Sequence, residues 1–205
     1  MKLYEIFENC LNAPYVTLED DVDVAIIKKG LYLQIYFEAS VGNVDWQNNF
    51  DFPATPYNKN CDRVWYAHRG FVRVWKIAEE YVEGAIADKG TQKILIGGYS
   101  HGAALALLCH EYVWFHRPDL RKKLTGYGFG CPRVVWGLPS PALKMRWENF
   151  TVVRNIDDIV THLPPKVFGY THVGKMLKIG ERGKYSPTDA HRPENILREL
   201  KIHGF

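Results

Sequence analysis

Lys93-Ile94-Leu95-Ile96-Gly97-Gly98-Tyr99-Ser100-His101-Gly102-Ala103-Ala104-Leu105-Ala106 is the stretch on which the fold turns. Residues 93–96 form a short, nearly continuous apolar run, as expected of a strand covered on both faces of a sheet. Residues 103–115, rich in Ala and Leu, have the composition of a mostly buried helix that halts before Pro118. Between the two, Gly98-x-Ser100-x-Gly102 places a serine at a tight strand-to-helix turn. The backbone there is strained, and it is possible only if the residues two before and two after are small enough for strand and helix to approach. Gly98 and Gly102 meet that need. Such a turn lifts the hydroxyl clear of the sheet and aims the free amides of the helix N-terminus at an oxyanion beside it.

Outward from this turn the chain alternates strands and helices. Residues 23–28 and 31–37 are β-rich and joined by Lys29-Gly30, which predicts an antiparallel hairpin. Residues 38–66 are polar, irregular and interrupted by Gly42, Pro53 and Pro56, the signature of a long functional loop. Phe71, Val74, Trp75, Ala78, Tyr81, Val82 and Ala85 recur at helical spacing, predicting a helix over 71–88 with Gly90 as its stop. Strands are expected at 124–130 and 150–155, separated by the helix start Ser140-Pro141, with a further strand over 171–179 and a terminal helix over 193–202. Such alternation implies βαβ units, hence an α/β fold with a mixed, mostly parallel sheet and helices on both faces. There is no repeat and no linker, so one domain is expected over residues 1–205.

With 46% apolar and 24% charged residues in 205, the composition is that of a globular protein and not of a disordered, collagen-like or coiled-coil chain. The formal charge of +3 arises from 26 basic and 23 acidic residues spread along the chain, which points away from nucleic acid as a partner. Glu5, Glu8, Glu19 and Asp20 interrupt the first twenty residues, which therefore resemble neither a signal peptide nor a membrane span, and no later stretch reaches spanning length. Cys10, Cys61, Cys109 and Cys131 lie far apart with no C-x-x-C spacing; read as reduced thiols, they lead to the expectation of a cytoplasmic location, although a chain trimmed of its leader would read the same.

Three other patterns lead nowhere. His110-Glu111 with His116 lacks the H-E-x-x-H spacing of a zinc site, Gly126-x-Gly128-x-Gly130 lies on a strand instead of opening a helix, and Asn149-Phe150-Thr151 leads a buried strand. No metal or organic cofactor is expected.

A serine hydroxyl is a poor nucleophile until a base takes its proton, and the base needs an acid to fix its tautomer. Asp157 and Asp158 follow the strand expected at 150–155, where a sheet presents its ligand-binding ends. The histidines beyond them are His162, His172, His191 and His203. His191 ends the polar stretch Tyr185-Ser186-Pro187-Thr188-Asp189-Ala190-His191, just ahead of a helix and free to fold back over Ser100.

Phe37-Glu38-Ala39-Ser40, Asp45-Trp46, His68-Arg69-Gly70-Phe71, the Ser100 motif, Gly130-Cys131-Pro132-Arg133-Val134, and Asp158 to Pro165 followed by Phe168-Gly169-Tyr170-Thr171-His172 occur in the same order as six segments of the class 3, fungal-type lipases of the α/β-hydrolase superfamily. The chain resembles that family from about residue 22 to 200, departing from it at Glu38, Ala39 and His101, where the family commonly has Arg, Gly and Leu. The resemblance implies a catalytic triad of Ser100, Asp158 and His191, with Ser40 and the backbone N–H of His101 as the oxyanion hole. It implies a lipid or other ester as substrate and possible interfacial contact with lipid. It gives His172 a structural role and places a lid in the aromatic-rich stretch 41–66. The fold alone also admits a silent binding module, an acyltransferase or thioesterase, and a peptidase.

Overall fold

Gly30 takes φ +60° and turns the chain between two antiparallel strands, as Lys29-Gly30 predicts. The computed structural model describes residues 1–38, 53–57 and 64–205. Ser40, Asp45, Trp46, Cys61 and most of the stretch 41–66 assigned to a lid lie outside the described residues. In chain order the elements are α1 (Leu3–Leu11), β1 (Val16–Thr17), β2 (Asp23–Lys29), β3 (Tyr32–Phe37), β4 (Ala54–Tyr57), β5 (Trp65–His68), α2 (Arg69–Ile86), β6 (Lys93–Tyr99) and α3 (His101–His116). They continue with β7 (Leu124–Phe129), β8 (Val135–Trp136), α4 (Pro141–Lys144), β9 (Phe150–Asn155), β10 (Tyr170–Thr171), β11 (Lys175–Ile179) and α5 (Pro193–Ile202).

The main sheet runs β1-β2-β3-β6-β7-β9-β11. Its first two pairings are antiparallel and the remaining four parallel, so the hairpin does make it mixed. Strand periodicity assigns neighbouring side chains to opposite faces. Leu33, Ile35 and Phe37 of β3, Ile94 and Ile96 of β6, and Val152 of β9 pack with α2 and α3. Tyr36, Leu95 and Val153 point the other way, into a second cluster with Ile6, Phe7 and Cys10 of α1 and Ile196 and Leu200 of α5. The sheet is therefore covered on both faces, and α3, buried at every position from Gly102 to Val113, is the helix closest to its centre. Being covered all round, it is mostly apolar on every side and carries no amphipathic stripe, and its one buried carboxylate, Glu111, is paired with Arg146.

A second, wholly antiparallel sheet runs β10-β8-β5-β4. Here the sequence expectation needs correcting: the loop predicted over 38–66 contains β4 and the start of β5. Their strands are only four residues long, and Pro56, which cannot donate to a ladder, sits in β4 at the sheet's edge, where that is tolerated. The strand expected over 171–179 is also two strands, one in each sheet. Gly174, at φ +82°, makes the break, and a Cβ there would lie 2.5 Å from the Phe150 carbonyl oxygen. α1, which contributes Ile6, Phe7 and Cys10 to the core, has no counterpart in the sequence reading.

Candidate active site

Ser100 joins β6 to α3 with φ 55° and ψ −120°, a conformation that costs an L-residue roughly 1–3 kcal/mol and persists only where surrounding contacts impose it. Its N–H donates to the Phe129 carbonyl at 2.9 Å, and its own carbonyl accepts from the Ala103 N–H at 3.0 Å. A Cβ on Gly98 would lie 2.2 Å from the Gly102 carbonyl oxygen, and one on Gly102 would lie 2.3 Å from that of Phe37. Both glycines of the motif are thus demanded by backbone contact.

Asp158 comes from the turn after β9, where its N–H donates to the Asn155 carbonyl at 3.1 Å. Its side chain is fully buried. A buried carboxylate must be hydrogen-bonded, and it is: Oδ1 accepts from the Val160 N–H at 2.8 Å, and Oδ2 lies 2.9 Å from His191 Nδ1. The Thr161 hydroxyl donates to the Asp158 carbonyl at 2.8 Å, and the carbonyl of Thr161 accepts from His172 Nε2 at 2.8 Å. His172 therefore braces the acid's loop. Burial pushes its imidazole down to about 4, so at neutral pH it is an uncharged donor.

His191 ends a 3-10 turn, Asp189–His191, immediately before α5. The turn is fixed by Asn155, whose side-chain amide donates to the Ala190 carbonyl at 3.0 Å. The ring of His191 is set by Tyr99, stacked on it at 5.1 Å between centroids. So placed, Nδ1 faces Asp158 and Nε2 lies 2.8 Å from Ser100 Oγ. Because a carboxylate only accepts, it holds the ring proton on Nδ1 and leaves the Nε2 lone pair for the serine hydroxyl.

Gly130 completes the enclosure. It has φ +59°, and a Cβ there would lie 2.8 Å from His191 Cε1 and 3.1 Å from Asp158 Oδ2. Sequence reading missed Gly130, Tyr99 and Asn155 as parts of this site. The pattern Gly-Cys-Pro-Arg-Val already contained Gly130, but only the folded chain shows which side chains it makes room for.

The remaining sequence candidates go elsewhere. Asp157 accepts the Gly183 N–H at 2.6 Å through Oδ2. The His162 ring is exposed and contacts the Arg154 guanidinium. His203 lies at the end of α5, 3.5 Å from Glu199. His101 is the first residue of α3, so its N–H is among the first-turn amides that have no intrahelical acceptor. Its ring packs edge-on to Phe71 at 5.3 Å, and burial pushes it down to about 4. Among the described residues, no group of three or more His, Cys, Asp and Glu is arranged to hold a metal ion.

Residues 34–168 match the sequence profile of the family described as Lipase (class 3). The chain belongs to the class 3 lipase family. It is 32% identical over 114 residues to a lipase of Rhizopus niveus, a match covering 52% of this chain and 29% of that protein. It is 30% identical over 142 residues to the secreted mono- and diacylglycerol lipase 1 of Fusarium solani, covering 65% of this chain and 39% of that one. The chain thus spans well under half the length of these curated relatives. A triacylglycerol lipase described as having a serine protease triad as its catalytic centre superposes with a TM-score of 0.70 at 23% identity, covering 82% of this chain and 65% of its own. The mono- and diacylglycerol lipase of Aspergillus oryzae does so with 0.63 at 24% identity, covering 86% and 66%. This class 3 chain has the α/β-hydrolase fold.

The expectation of a cytoplasmic location is corrected by these relatives, one of which is named as secreted. Its premise was weak on physical grounds. Cys10, Cys109 and Cys131 are buried free thiols, and burial pushes Cys10 up to about 12, so they are inert in any compartment and do not report on it. Among the described residues, no helix is long and apolar enough to cross a membrane.

Proposed function

We propose that the chain, read as one domain, is a serine carboxylester hydrolase acting on acylglycerol esters through an acyl-serine intermediate, with Ser100, His191 and Asp158 as its triad. The observation that carries this reading is the continuous chain Ser100 Oγ to His191 Nε2 at 2.8 Å and His191 Nδ1 to Asp158 Oδ2 at 2.9 Å, built around a strained serine at a helix N-terminus.

His191 Nε2 takes the proton of Ser100 as Oγ attacks the ester carbonyl, and the tetrahedral oxyanion is held by the His101 N–H with Ser40 as second donor. Collapse breaks the ester C–O bond, and the proton on Nε2 passes to the leaving alcohol. A water molecule then gives a proton to Nε2 and its oxygen to the acyl carbon, which releases the fatty acid and returns the proton to Ser100. Asp158 stabilises the imidazolium that forms twice in each cycle. His101, uncharged because its ring is buried, adds no second cation beside the reacting oxygen.

The acylglycerol substrate class is supported by three of the relatives, which are named as mono- and diacylglycerol or triacylglycerol lipases. Hydrolysis of a p-nitrophenyl ester chain-length series by the wild type and by Ser100→Ala tests the proposal. Turnover is expected to fall by about four to six orders of magnitude in the variant. Equal rates for the two proteins would refute it.

A further inference from the structure

At the end of the main sheet opposite Ser100, the starts of β3, β6 and β7 border an open cavity of about 710 Å³. Lys93 opens β6 and Ser100 follows its last residue, so at about 3.3 Å per residue the two ends lie roughly 20 Å apart. Four of the eight residues lining the cavity are lysines, and none is Asp or Glu. Lys29 comes from the hairpin, Lys93 from the start of β6, and Lys122 and Lys123 from the 3-10 turn Pro118–Lys123. The fold therefore gathers charges that lie in three separate segments of the sequence. The four outnumber the formal net charge of +3, and without them 22 bases face 23 acids, so the chain's positive excess is accounted for at this end.

The acids on the same turns are already engaged. Asp88 accepts from Lys28 and from the Gly90 N–H at 2.8 Å, and Asp119 takes the Arg117 guanidinium at 2.8 and 3.0 Å. Among the described residues, no carboxylate pairs with Lys29, Lys93, Lys122 or Lys123. Arg117 also donates to the carbonyls of Ile86, Asp88 and Thr91 at 2.7, 3.2 and 3.2 Å, and the N–H groups of Gln92 and Lys93 donate to the Leu31 carbonyl at 2.8 and 3.3 Å. The hairpin, the turn ahead of Lys93 and the start of the 3-10 turn are thus tied together, and the lysines stand on a preformed frame. Lys93 is placed along the wall by the Tyr32 ring, whose centroid lies 5.2 Å from its ammonium.

A concave wall of four ammonium groups without a carboxylate focuses positive potential and draws in an anion of several charges more strongly than a single-charged one. Lysine meets phosphate oxygens as a point charge on a flexible stem, without the fixed fork of arginine, which fits a bent chain of phosphates better than one planar group. Thr125 and Gln92, which also line the cavity, offer neutral donors. We propose that this cavity is a binding site for a soluble oligophosphate, an anion carrying two or more linked phosphate groups. A phosphorylated lipid headgroup shares that chemistry, but held here it would turn Ser100 away from the bilayer that carries it. The site is separate from the triad, and its occupancy is measurable without ester hydrolysis.

Isothermal titration calorimetry of the full chain with tripolyphosphate at low salt is the test. Saturable binding of one tripolyphosphate per chain is expected, weakening as salt rises. Affinity should fall by about tenfold or more in Lys122→Glu/Lys123→Glu, and by several-fold in the milder Lys29→Gln/Lys93→Gln. Lys166→Glu/Lys175→Glu makes the same change in net charge at exposed lysines outside the cavity and should bind as the wild type does. No saturable binding, equal losses in the two glutamate variants, or undiminished binding by Lys29→Gln/Lys93→Gln would overturn the proposal. So would tighter binding to vesicles bearing a phosphorylated headgroup than to tripolyphosphate.

Discussion

The hydroxyl of Tyr99 donates to the carbonyl oxygen of His191 at 2.7 Å while the two rings stack, so the residue just before the nucleophile holds the residue that would deprotonate it. β6 in this way sets both ends of the proton transfer. Tyr99→Phe keeps the stack and removes the hydrogen bond, an interaction contributing about 1 kcal/mol. Its kcat on a soluble ester should drop about fivefold with KM little changed, and Tyr99→Ala, which removes both contacts, should drop it further. Wild-type kcat in both variants would show that the ring is held by other means.

Asp157 and Asp158 are neighbours with separate tasks, one bonding the Gly183 amide and the other the His191 imidazole. Asp158→Asn leaves the shape intact but presents a donor or the wrong tautomer to Nδ1, which should cost about four orders of magnitude in kcat. Asp157→Asn should remain within a few-fold of wild type. Steady-state kinetics on the pair separates the two, and comparable losses would mean that the geometry at 158 is not what matters.

Three glycines should fail in two different ways. Gly98→Ala and Gly102→Ala push a methyl group into main chain at 2.2 and 2.3 Å, and each should destabilise by about 3 kcal/mol or more, visible as a lower urea midpoint. Gly130→Ala meets the His191 ring and, at φ +59°, incurs about 1–2 kcal/mol of backbone strain. Its melting temperature should fall only a few degrees while activity falls at least tenfold. A Gly130→Ala chain with full activity would remove this residue from the site.

Burial pushes the imidazoles of His101 and His172 down to about 4 and that of His110 to about 3, from an ordinary value of 6.5. Folded, they resist protons that the unfolded chain accepts. Stability is therefore at its full value above pH 6.5 and is lost as pH falls from 6.5 towards 4, by up to about 1.4 kcal/mol per pH unit for each histidine. Thermal melting across pH 8 to 4.5 should be flat at first and then decline steeply, and His172→Gln should lessen the decline. A melting temperature constant down to pH 4.5 would contradict the burial of these rings.

The parts legible in the sequence are those whose physics is local. Gly98 and Gly102 flank Ser100 within five residues, and the Leu-Ala run after it has one plausible use. Gly30 marks the hairpin for the same reason. The second sheet was not legible, because β8 and β10 are two residues long and their partners lie far away in sequence. A polar stretch with Pro56 resembles a loop until β5 is seen alongside it. The choice of Asp158 over Asp157, and of His191 among four histidines, came from the resemblance and not from local physics, which left them open; in the fold it is the turn pinned by Asn155 that brings residue 191 to Ser100. α1 carries the pattern Ile6, Phe7, Cys10 at helical spacing, a signal available in the sequence but overshadowed there by Glu5 and Glu8.

Covalent labelling with a fluorophosphonate, followed by mass analysis of the peptide that carries the tag, is the most direct measurement of whether this alcohol is activated. The tag should appear on Ser100 of the wild-type chain, be absent from Ser100→Ala, and form far more slowly in His191→Ala. An unlabelled wild-type chain, or a tag on any other residue, would show that the Ser100–His191–Asp158 arrangement does not make a nucleophile.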